Sequence, residues 1–309
     1  MRNDDLTARR TAGRTDDYLE YLFRQRGPFW HLCTPGTNQE ILFQKHEDYC
    51  FGITSSAVCL DGSVKIYAMA VMSNHLHDIL AGQEASCRVY FERRKKILKH
   101  YFNAADRRPD LRDLDCKLLP INDIDALRAE IVYVNRDGYV ACPEHTPFSY
   151  PWSTGKYYFN PAAWEGSEAY SSLAYQEKRK LTHSRCLDLP DGFRVKGGTM
   201  HIPSFVCVRE GEGFFRDAHQ YFNYLSRKRE AYGEVARRLG DEVFLTDNEL
   251  FDAVCSLCRS RFGQSRPSSL SPNDRITVAV TMKREYNASN GQIRRMLRLD
   301  DRIVRELFP

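Results

Sequence analysis

The sequence lacks any long apolar run. No stretch approaches the roughly twenty apolar residues that cross a bilayer, so we expect neither a membrane-spanning segment nor a membrane partner. The first residues, MRNDDLTARRTAGRTDDY, contain no apolar segment, and we expect no secretory signal there. Internal repeats and low-complexity tracts are also missing. With 42% hydrophobic and 28% charged residues, the expectation is an ordinary globular protein.

A large charge of one sign and a disulfide framework are missing as well. The net charge of +4 over 309 residues is mildly basic, which is compatible with nucleic acid but does not require it. The ten cysteines are scattered, so we expect reduced thiols in a cytoplasmic protein. Cys255 and Cys258 form a CxxC pair without the second pair of a zinc site, and we interpret them as buried thiols on one helix.

The apolar pattern predicts an α+β fold. Strands are expected at 29–33, 64–72, 75–81 and 116–121, and helices at 47–59, at 86–102 and from 123 to about 137. The resulting order, β-α-β-β-α-β-α, begins with the ferredoxin-like, split βαβ pattern. The economical arrangement is one antiparallel sheet with helices packed on a face.

Three regions are predicted along the chain. The first domain spans 1–155 and ends after a proline-rich loop. Residues 156–212 have no clear period and are interpreted as a connector. Residues 213–309 are predicted to be mainly helical, with long helices at 217–239 and 246–262 and a tail that resembles a helix-turn-helix.

The sharpest local feature is the pair His75 and His77. Residues two apart on a strand point to the same face, so both imidazoles project together and could bind a divalent metal ion. For an HxH pair alone, two surface histidines would be the more frequent explanation. Here the strand is otherwise apolar, the preceding turn is tight, and a suitable third ligand exists.

That third ligand is Asp137, on the helix after the fourth strand. Tyr133 and Asp137 are four residues apart and share one helix face. A phenol beside a metal-bound carboxylate can be held against the phosphate that the metal polarises. Without the histidine pair, Tyr133 would be interpreted as a core aromatic and Asp137 as a polar residue near a helix end.

These motifs resemble a known family. Met-Ser-Asn-His-Leu-His at 72–77, with Tyr133 and a polar residue one turn later, resembles the HUH single-tyrosine transposases, in particular the REP-associated tyrosine transposases (insertion-sequence-200-like). The segment Ser-Tyr-Pro-Trp-Ser at 149–153 is similar to the family's Tyr-Pro-Trp-Ser ending. The resemblance covers roughly residues 28–155.

Three departures from the family pattern are Asp137 in place of an asparagine, Gly138 in place of a proline, and Asp78 after the second histidine. Many relatives read Tyr-Ile-His-Leu-Asn-Pro on the tyrosine helix, whereas residues 133–138 here read Tyr-Val-Asn-Arg-Asp-Gly. Asp137 thus replaces an asparagine, and a carboxylate is an adequate ligand for a hard cation. Asp78 stands where an apolar residue usually follows the second histidine, and it is expected to point to the core side of the strand.

The resemblance implies an HUH nuclease fold over residues 1–155 and a bound Mg²⁺ or Mn²⁺ held by His75, His77 and Asp137. Tyr133 is the implied nucleophile. The implied activity is that of a bacterial transposase-like endonuclease and strand transferase. It would act on single-stranded or hairpin DNA through a 5′-phosphotyrosine link, without an energy cofactor. Such a protein is expected in the cytoplasm in association with the nucleoid, and both a monomer and a homodimer are compatible with the sequence.

Two basic segments are candidate DNA contacts. The helix 86–102 carries cations with no acid after Glu92, although a solvated helix face explains such a run almost as well. Residues 274–309 read as three short basic helices with tight breaks, and a helix packing appendage is the alternative. The predicted DNA-binding residues are Arg93, Arg94, Lys95, Lys96, Lys99, Arg294, Arg295, Arg298 and Arg302.

Three functions compete. The first is an active transposase-like nuclease, the second is a domesticated DNA-binding protein on the same fold, and the third is a metal-binding regulator. The presence of His75, His77 and Tyr133 together favours the first over the second, because binding alone does not need a nucleophile. The third leaves the one-turn spacing of Tyr133 and Asp137 unexplained.

Overall fold

The computed structural model describes residues 15–34, 41–105, 115–141, 145–146, 148–184, 187–226, 247–286 and 288–308. Residues 1–14 lie outside this described part of the chain. The chain divides into two compact units. The first comprises Met1–Gly138 and Thr146–Ser226, and the second comprises Tyr139–His145 and Arg227–Pro309.

A four-stranded antiparallel sheet lies at the centre of the first unit. Its strands are β1 (Phe29–Cys33), β2 (Lys65–Val71), β3 (Leu76–Ala81) and β4 (Lys117–Ile121), and their order across the sheet is β2-β3-β1-β4. A tight turn joins β2 to β3, as predicted, and the amide of Met72 donates to the carbonyl of His75 across it. The predicted α+β class and the antiparallel sheet are confirmed.

Helices cover both faces of this sheet, whereas the prediction had them on one face. The helices are α1 (Asp16–Arg26), α2 (His46–Cys59), α3 (Glu84–Ala104) and α4 (Ile124–Ala141). Arg94 of α3 pairs with Asp78 of β3, while Glu130 of α4 bonds to His31 of β1. In the β1–β3 register Leu32, the neighbour of His31, lies opposite Asp78. His31 and Asp78 therefore point to opposite faces, with α4 on the His31 side and α2 and α3 on the other.

Residues 156–226 belong to the first unit, so the predicted connector at 156–212 and the domain start at 213 are wrong. Aromatic side chains anchor this segment. Tyr158 is fully buried and donates a hydrogen bond to the carbonyl of Tyr67 on β2. Tyr221 is also buried and bonds to Asn135 on α4. Burial of these large rings stabilises the first unit, although the sequence of the segment shows no period.

The segment contains short elements only. Of the helix predicted at 217–239, the described part is Ala218–Leu225, with Asp217 as its N-cap, and residues 227–239 lie outside the described residues. The elements are the one-turn helices Gly155–Tyr157, Pro161–Trp164, Tyr170–Ser172 and Ile202–Ser204, the antiparallel strands β5 (Glu168–Ala169), β6 (Arg194–Lys196) and β7 (Thr199–Met200), and the helices α5 (Tyr175–Thr182), α6 (Val208–Glu212) and α7 (Ala218–Leu225).

The second unit is helical where it is described. Its elements are α8 (Asp247–Phe262), the one-turn helix Pro267–Ser269, α9 (Pro272–Glu285), α10 (Asn290–Leu297) and α11 (Asp301–Leu307). These helices share an apolar core that includes Val254, Met282 and Ile293. Cys255 and Cys258 are buried on α8, as predicted. Across the described residues of both units, no helix has the length and apolar character of a membrane span.

Candidate metal centre

Two histidines and one carboxylate form a buried group at the start of β3. His77 lies on β3 and His75 directly precedes it, so both imidazoles project from one face. Asp137 of α4 faces both rings, with its Oδ2 3.7 Å from Nε2 of His75 and 3.8 Å from Nε2 of His77. One ligand atom from each residue lies within 4.8 Å of the others. The three predicted ligands are therefore brought together and could hold a metal ion.

Hydrogen bonds on the other side of each ring orient the two histidines. Nδ1 of His75 lies 2.8 Å from Oδ1 of Asn74, an amide oxygen that can only accept. Nδ1 of His77 lies 3.0 Å from Nε2 of His31 on β1. Both histidines consequently use Nδ1 for a protein contact and turn Nε2 towards Asp137.

The donor atoms fit a cation. His77 is fully buried, and His75 and Asp137 are only 3% and 6% exposed. Oδ2 of Asp137 accepts no hydrogen bond from any side chain or backbone group that the structure describes. Keeping such a buried carboxylate oxygen from water costs free energy unless another group compensates it. A divalent cation between the imidazole nitrogens and this oxygen would supply that compensation.

Tyr133 lies beside this group. It precedes Asp137 by one turn of α4, and its ring centroid is 5.7 Å from that of His77 and 6.1 Å from that of His31. The side chain is only 5% exposed. The predicted nucleophile and the predicted ligands are thus neighbours in space, in an arrangement that sets a phenol beside a possible cation site.

The sequence analysis missed two members of the cluster, His31 and Glu130. Nδ1 of His31 lies 2.7 Å from Oε2 of Glu130, and both side chains are at most 2% exposed. Glu130 lies on α4 one turn before Tyr133, which is a signal that the sequence did contain. His31 carried no comparable signal, because its approach to His77 depends on the pairing of β1 with β3.

The residue after the histidine pair has a structural partner. Asp78 is fully buried, and its Oδ2 accepts hydrogen bonds from Arg94 at 2.6 Å and from Tyr90 at 3.3 Å. Arg94 also donates to the carbonyl of Gly52 and to Oγ of Ser55, both on α2. The prediction that Arg94 contacts DNA is therefore wrong, because this guanidinium is fully buried and joins α2, α3 and β3.

The other predicted cations of α3 differ in exposure. Arg93, Lys96 and Lys99 are exposed, Lys95 is half-buried, and Arg93 pairs with Asp61. Because α3 packs on the Asp78 side of the sheet, these cations lie on the opposite side from His75 and His77. The structure does not bring them to the metal centre, and their contact with DNA stays a prediction.

The segment that resembles the Tyr-Pro-Trp-Ser ending fixes α4 against the sheet edge. The ring of Tyr150 lies so close to Gly138 that a Cβ at this glycine would sit 2.2 Å from it. The Tyr150 hydroxyl donates to the carbonyl of Val71, and Ser153 pairs with Ala70 along the outer edge of β2. Gly138 thus permits the close packing that holds the carboxyl-terminal part of α4, with Asp137, in place.

The C-terminal unit presents a second candidate region, described by itself. Ser289 caps α10, and Asp300 caps α11 after a short break in which Arg298 adopts the left-handed conformation. The predicted helices are confirmed to within two residues. The four predicted cations are all exposed, and Arg294 pairs with Asp301 while Arg302 pairs with Glu306; these cations are Arg294, Arg295, Arg298 and Arg302.

No protein-family model, no curated protein and no solved structure matches this chain.

Proposed function

We propose that the protein is a metal-dependent DNA strand-transfer enzyme, with Tyr133 as its nucleophile and His75, His77 and Asp137 as its metal ligands. One observation carries the proposal: one ligand atom each of His75, His77 and Asp137 lies within 4.8 Å of the others, and the Tyr133 ring lies beside them. Phosphodiester transfer needs a polarised phosphoryl oxygen and a positioned oxygen nucleophile. The cluster offers a residue for each role.

The topology supports the same proposal. The element order β-α-β-β-α-β and the strand order β2-β3-β1-β4 are those of a ferredoxin-like sheet. The histidine pair lies at the start of the central strand β3, and Tyr133 lies on the helix after β4, as in the HUH transposases that the sequence resembles. An HUH nuclease fold is therefore part of the proposal.

A divalent cation at this centre would polarise the scissile phosphate. Imidazole nitrogen is a poor match for Mg²⁺, which prefers oxygen ligands, so of the two proposed metals the donor set fits the transition metal Mn²⁺ better than Mg²⁺. The Tyr133 oxygen forms the new bond to phosphorus and loses its phenolic proton. The bond to the 3′ oxygen breaks, and that oxygen takes a proton to become a free hydroxyl. Attack by a 3′-hydroxyl reverses the step, so bond energy is conserved and no energy cofactor is needed.

Burial of the centre adds a requirement. Tyr133 is 5% exposed and Asp137 is 6% exposed, so a phosphodiester reaches them only when neighbouring polypeptide moves aside. We expect DNA binding to open the centre, and a loss of water from it then strengthens the electrostatic contacts with the phosphate.

The direct test is formation of a covalent adduct. The full chain is incubated with a labelled hairpin single strand and Mn²⁺ and analysed on a denaturing gel, with EDTA as the metal-free arm. We expect a labelled protein band that requires Mn²⁺. Tight hairpin binding without any adduct would instead favour a domesticated DNA-binding protein on the same fold.

A further inference from the structure

We propose that Glu130 and His31 are positioning residues that fix His77 as a metal ligand. They form a buried chain in which Glu130 bonds to His31 and His31 bonds to His77. The chain would hold His77 in the tautomer whose Nε2 carries no proton and faces Asp137. This inference rests on the proposed metal centre and adds two residues to it.

Proton accounting along the chain gives the tautomer. An ionised carboxylate has no proton to donate, so the 2.7 Å contact of Glu130 with Nδ1 of His31 requires a proton on that nitrogen. When His31 is the neutral imidazole, its one proton is on Nδ1 and its Nε2 is an acceptor, whereas a doubly protonated His31 would donate from Nε2 and leave the proton of His77 on Nε2. With neutral His31, the 3.0 Å contact requires the proton on Nδ1 of His77. Nε2 of His77 is left with its lone pair, which is the form that binds a metal ion.

Helix α4 holds both ends of this hydrogen-bonded chain of side chains. Glu130 and Asp137 are both on α4, and His77 lies between them, bonded through His31 on one side and facing the carboxylate on the other. His31, His77 and Glu130 are at most 2% exposed, so water is poorly placed to replace a lost partner. The geometry of His77 therefore depends on how α4 docks against β1 and β3.

The contact at Nδ1 of His75 comes from the adjacent residue, Asn74, at 2.8 Å. That contact is local in sequence, whereas the partners of His77 come from β1 and α4, 46 and 53 residues away from it. A chain built from three separate elements at one ligand is the pattern expected when a partner tunes metal affinity.

The alternative is that Glu130 and His31 form a buried pair that only stabilises the fold. Two substitutions of Glu130 distinguish these interpretations, because glutamine keeps a side-chain oxygen that accepts a hydrogen bond from His31 and leucine does not. We expect Glu130→Leu to weaken Mn²⁺ binding roughly 10- to 100-fold, and Glu130→Gln to stay within a few-fold of the unchanged protein. The measurement is calorimetric titration of the metal-free full chain with Mn²⁺ alone.

Asp48→Asn serves as the matched control. Asp48 is a fully buried carboxylate on α2 that accepts from the Tyr101 hydroxyl, and it lies on the other side of the sheet. Its substitution is expected to lower the thermal midpoint without weakening Mn²⁺ binding. Equal Mn²⁺ affinity for Glu130→Leu and the unchanged protein would overturn the proposal, and so would equal weakening by Glu130→Gln and Glu130→Leu.

A second measurement does not depend on whether the leucine variant folds. Nitrogen-15 spectra of the unchanged, metal-free chain report which ring nitrogen of each histidine carries the proton, and His77→Gln identifies the His77 signals. We expect His77 to be protonated on Nδ1. Protonation on Nε2 would refute the proposed role of Glu130 and His31 in fixing the tautomer of His77. A protein that binds no Mn²⁺ at all would remove the metal centre itself, whereas normal binding with the wrong tautomer would remove only this inference.

Discussion

Consecutive residues of β3, His77 and Asp78, carry buried ionisable side chains to opposite faces of the sheet, and the two faces use them differently. On one face Oδ2 of Asp78 lies 2.6 Å from a nitrogen of Arg94, so a carboxylate meets a guanidinium at hydrogen-bond distance. On the other face Nε2 of His77 lies 3.8 Å from Oδ2 of Asp137, with Nε2 of His75 at 3.7 Å from the same oxygen.

The difference separates a structural ion pair from a binding site. The Asp78 carboxylate already has an opposite charge against it, and Arg94 ties three elements together. On the His77 face, Nε2 of two imidazoles and one carboxylate oxygen face a common space. Such atoms are compensated when a cation occupies that space, because no donor on the described residues reaches Oδ2 of Asp137.

The largest expected effect comes from removing one oxygen atom on the His77 face. Tyr133→Phe should abolish the covalent DNA adduct while hairpin binding persists, since phenylalanine keeps the ring but cannot attack phosphorus. Denaturing gels measure the adduct and filter binding measures affinity. Tyr90→Phe is the control, because its hydroxyl bonds to Asp78 on the other face and the adduct should remain. If Tyr133→Phe still forms the adduct, Tyr139, whose side chain lies outside the described residues, becomes the next candidate.

The next largest effect is expected from removing one of the proposed metal ligands on the His77 face. His75→Ala and His77→Ala should lose Mn²⁺ uptake and DNA cleavage together, because two remaining donors hold a divalent ion weakly. Asp78→Asn, one residue from His77, should retain Mn²⁺ uptake. Calorimetric titration and cleavage assays in EDTA give the measurements, and undiminished cleavage in EDTA would rule out a role for the metal.

Substitutions on the Asp78 face should change the free energy of unfolding. Asp78→Ala leaves Arg94 buried without its partner and should lower the free energy of unfolding by about 3–5 kcal/mol. The double variant Asp78→Leu, Arg94→Met removes both charges and should recover most of that loss, since apolar side chains of similar volume often replace a buried ion pair without cost. Urea denaturation measures both. A double variant as unstable as Asp78→Ala would show that the pair is needed for a reason beyond charge compensation.

The smallest effects are expected at the exposed cations. Lys96→Ala with Lys99→Ala, and Arg298→Ala with Arg302→Ala, should each reduce the slope of log affinity against log salt by about two, one for each lost phosphate contact. Lys180→Ala, at an exposed lysine of α5, is the control. An unchanged slope for the α3 pair would mean that DNA reaches only the His77 side of the sheet.

The sequence by itself determined what depends on local backbone geometry. The strand period of two residues places His75 and His77 on one face, and the helix period places Tyr133 one turn before Asp137. The sequence also predicted the tight turn between β2 and β3 and the capped helices α9, α10 and α11. The signals for these features lie within a few neighbouring residues.

Only the tertiary structure decided which residues meet across the sheet. A basic run on α3 does not reveal that Arg94 is the one predicted DNA contact of this helix that is fully buried. Its burial depends on the pairing with Asp78, which lies on β3. The chain from Glu130 through His31 to His77 depends on strand pairing and on α4 packing against the face opposite α2 and α3. Residues 156–226 escaped prediction because their aromatic rings pack singly into the first unit, without a period. Contacts of this kind are set by burial of whole surfaces, and no short stretch of sequence records them.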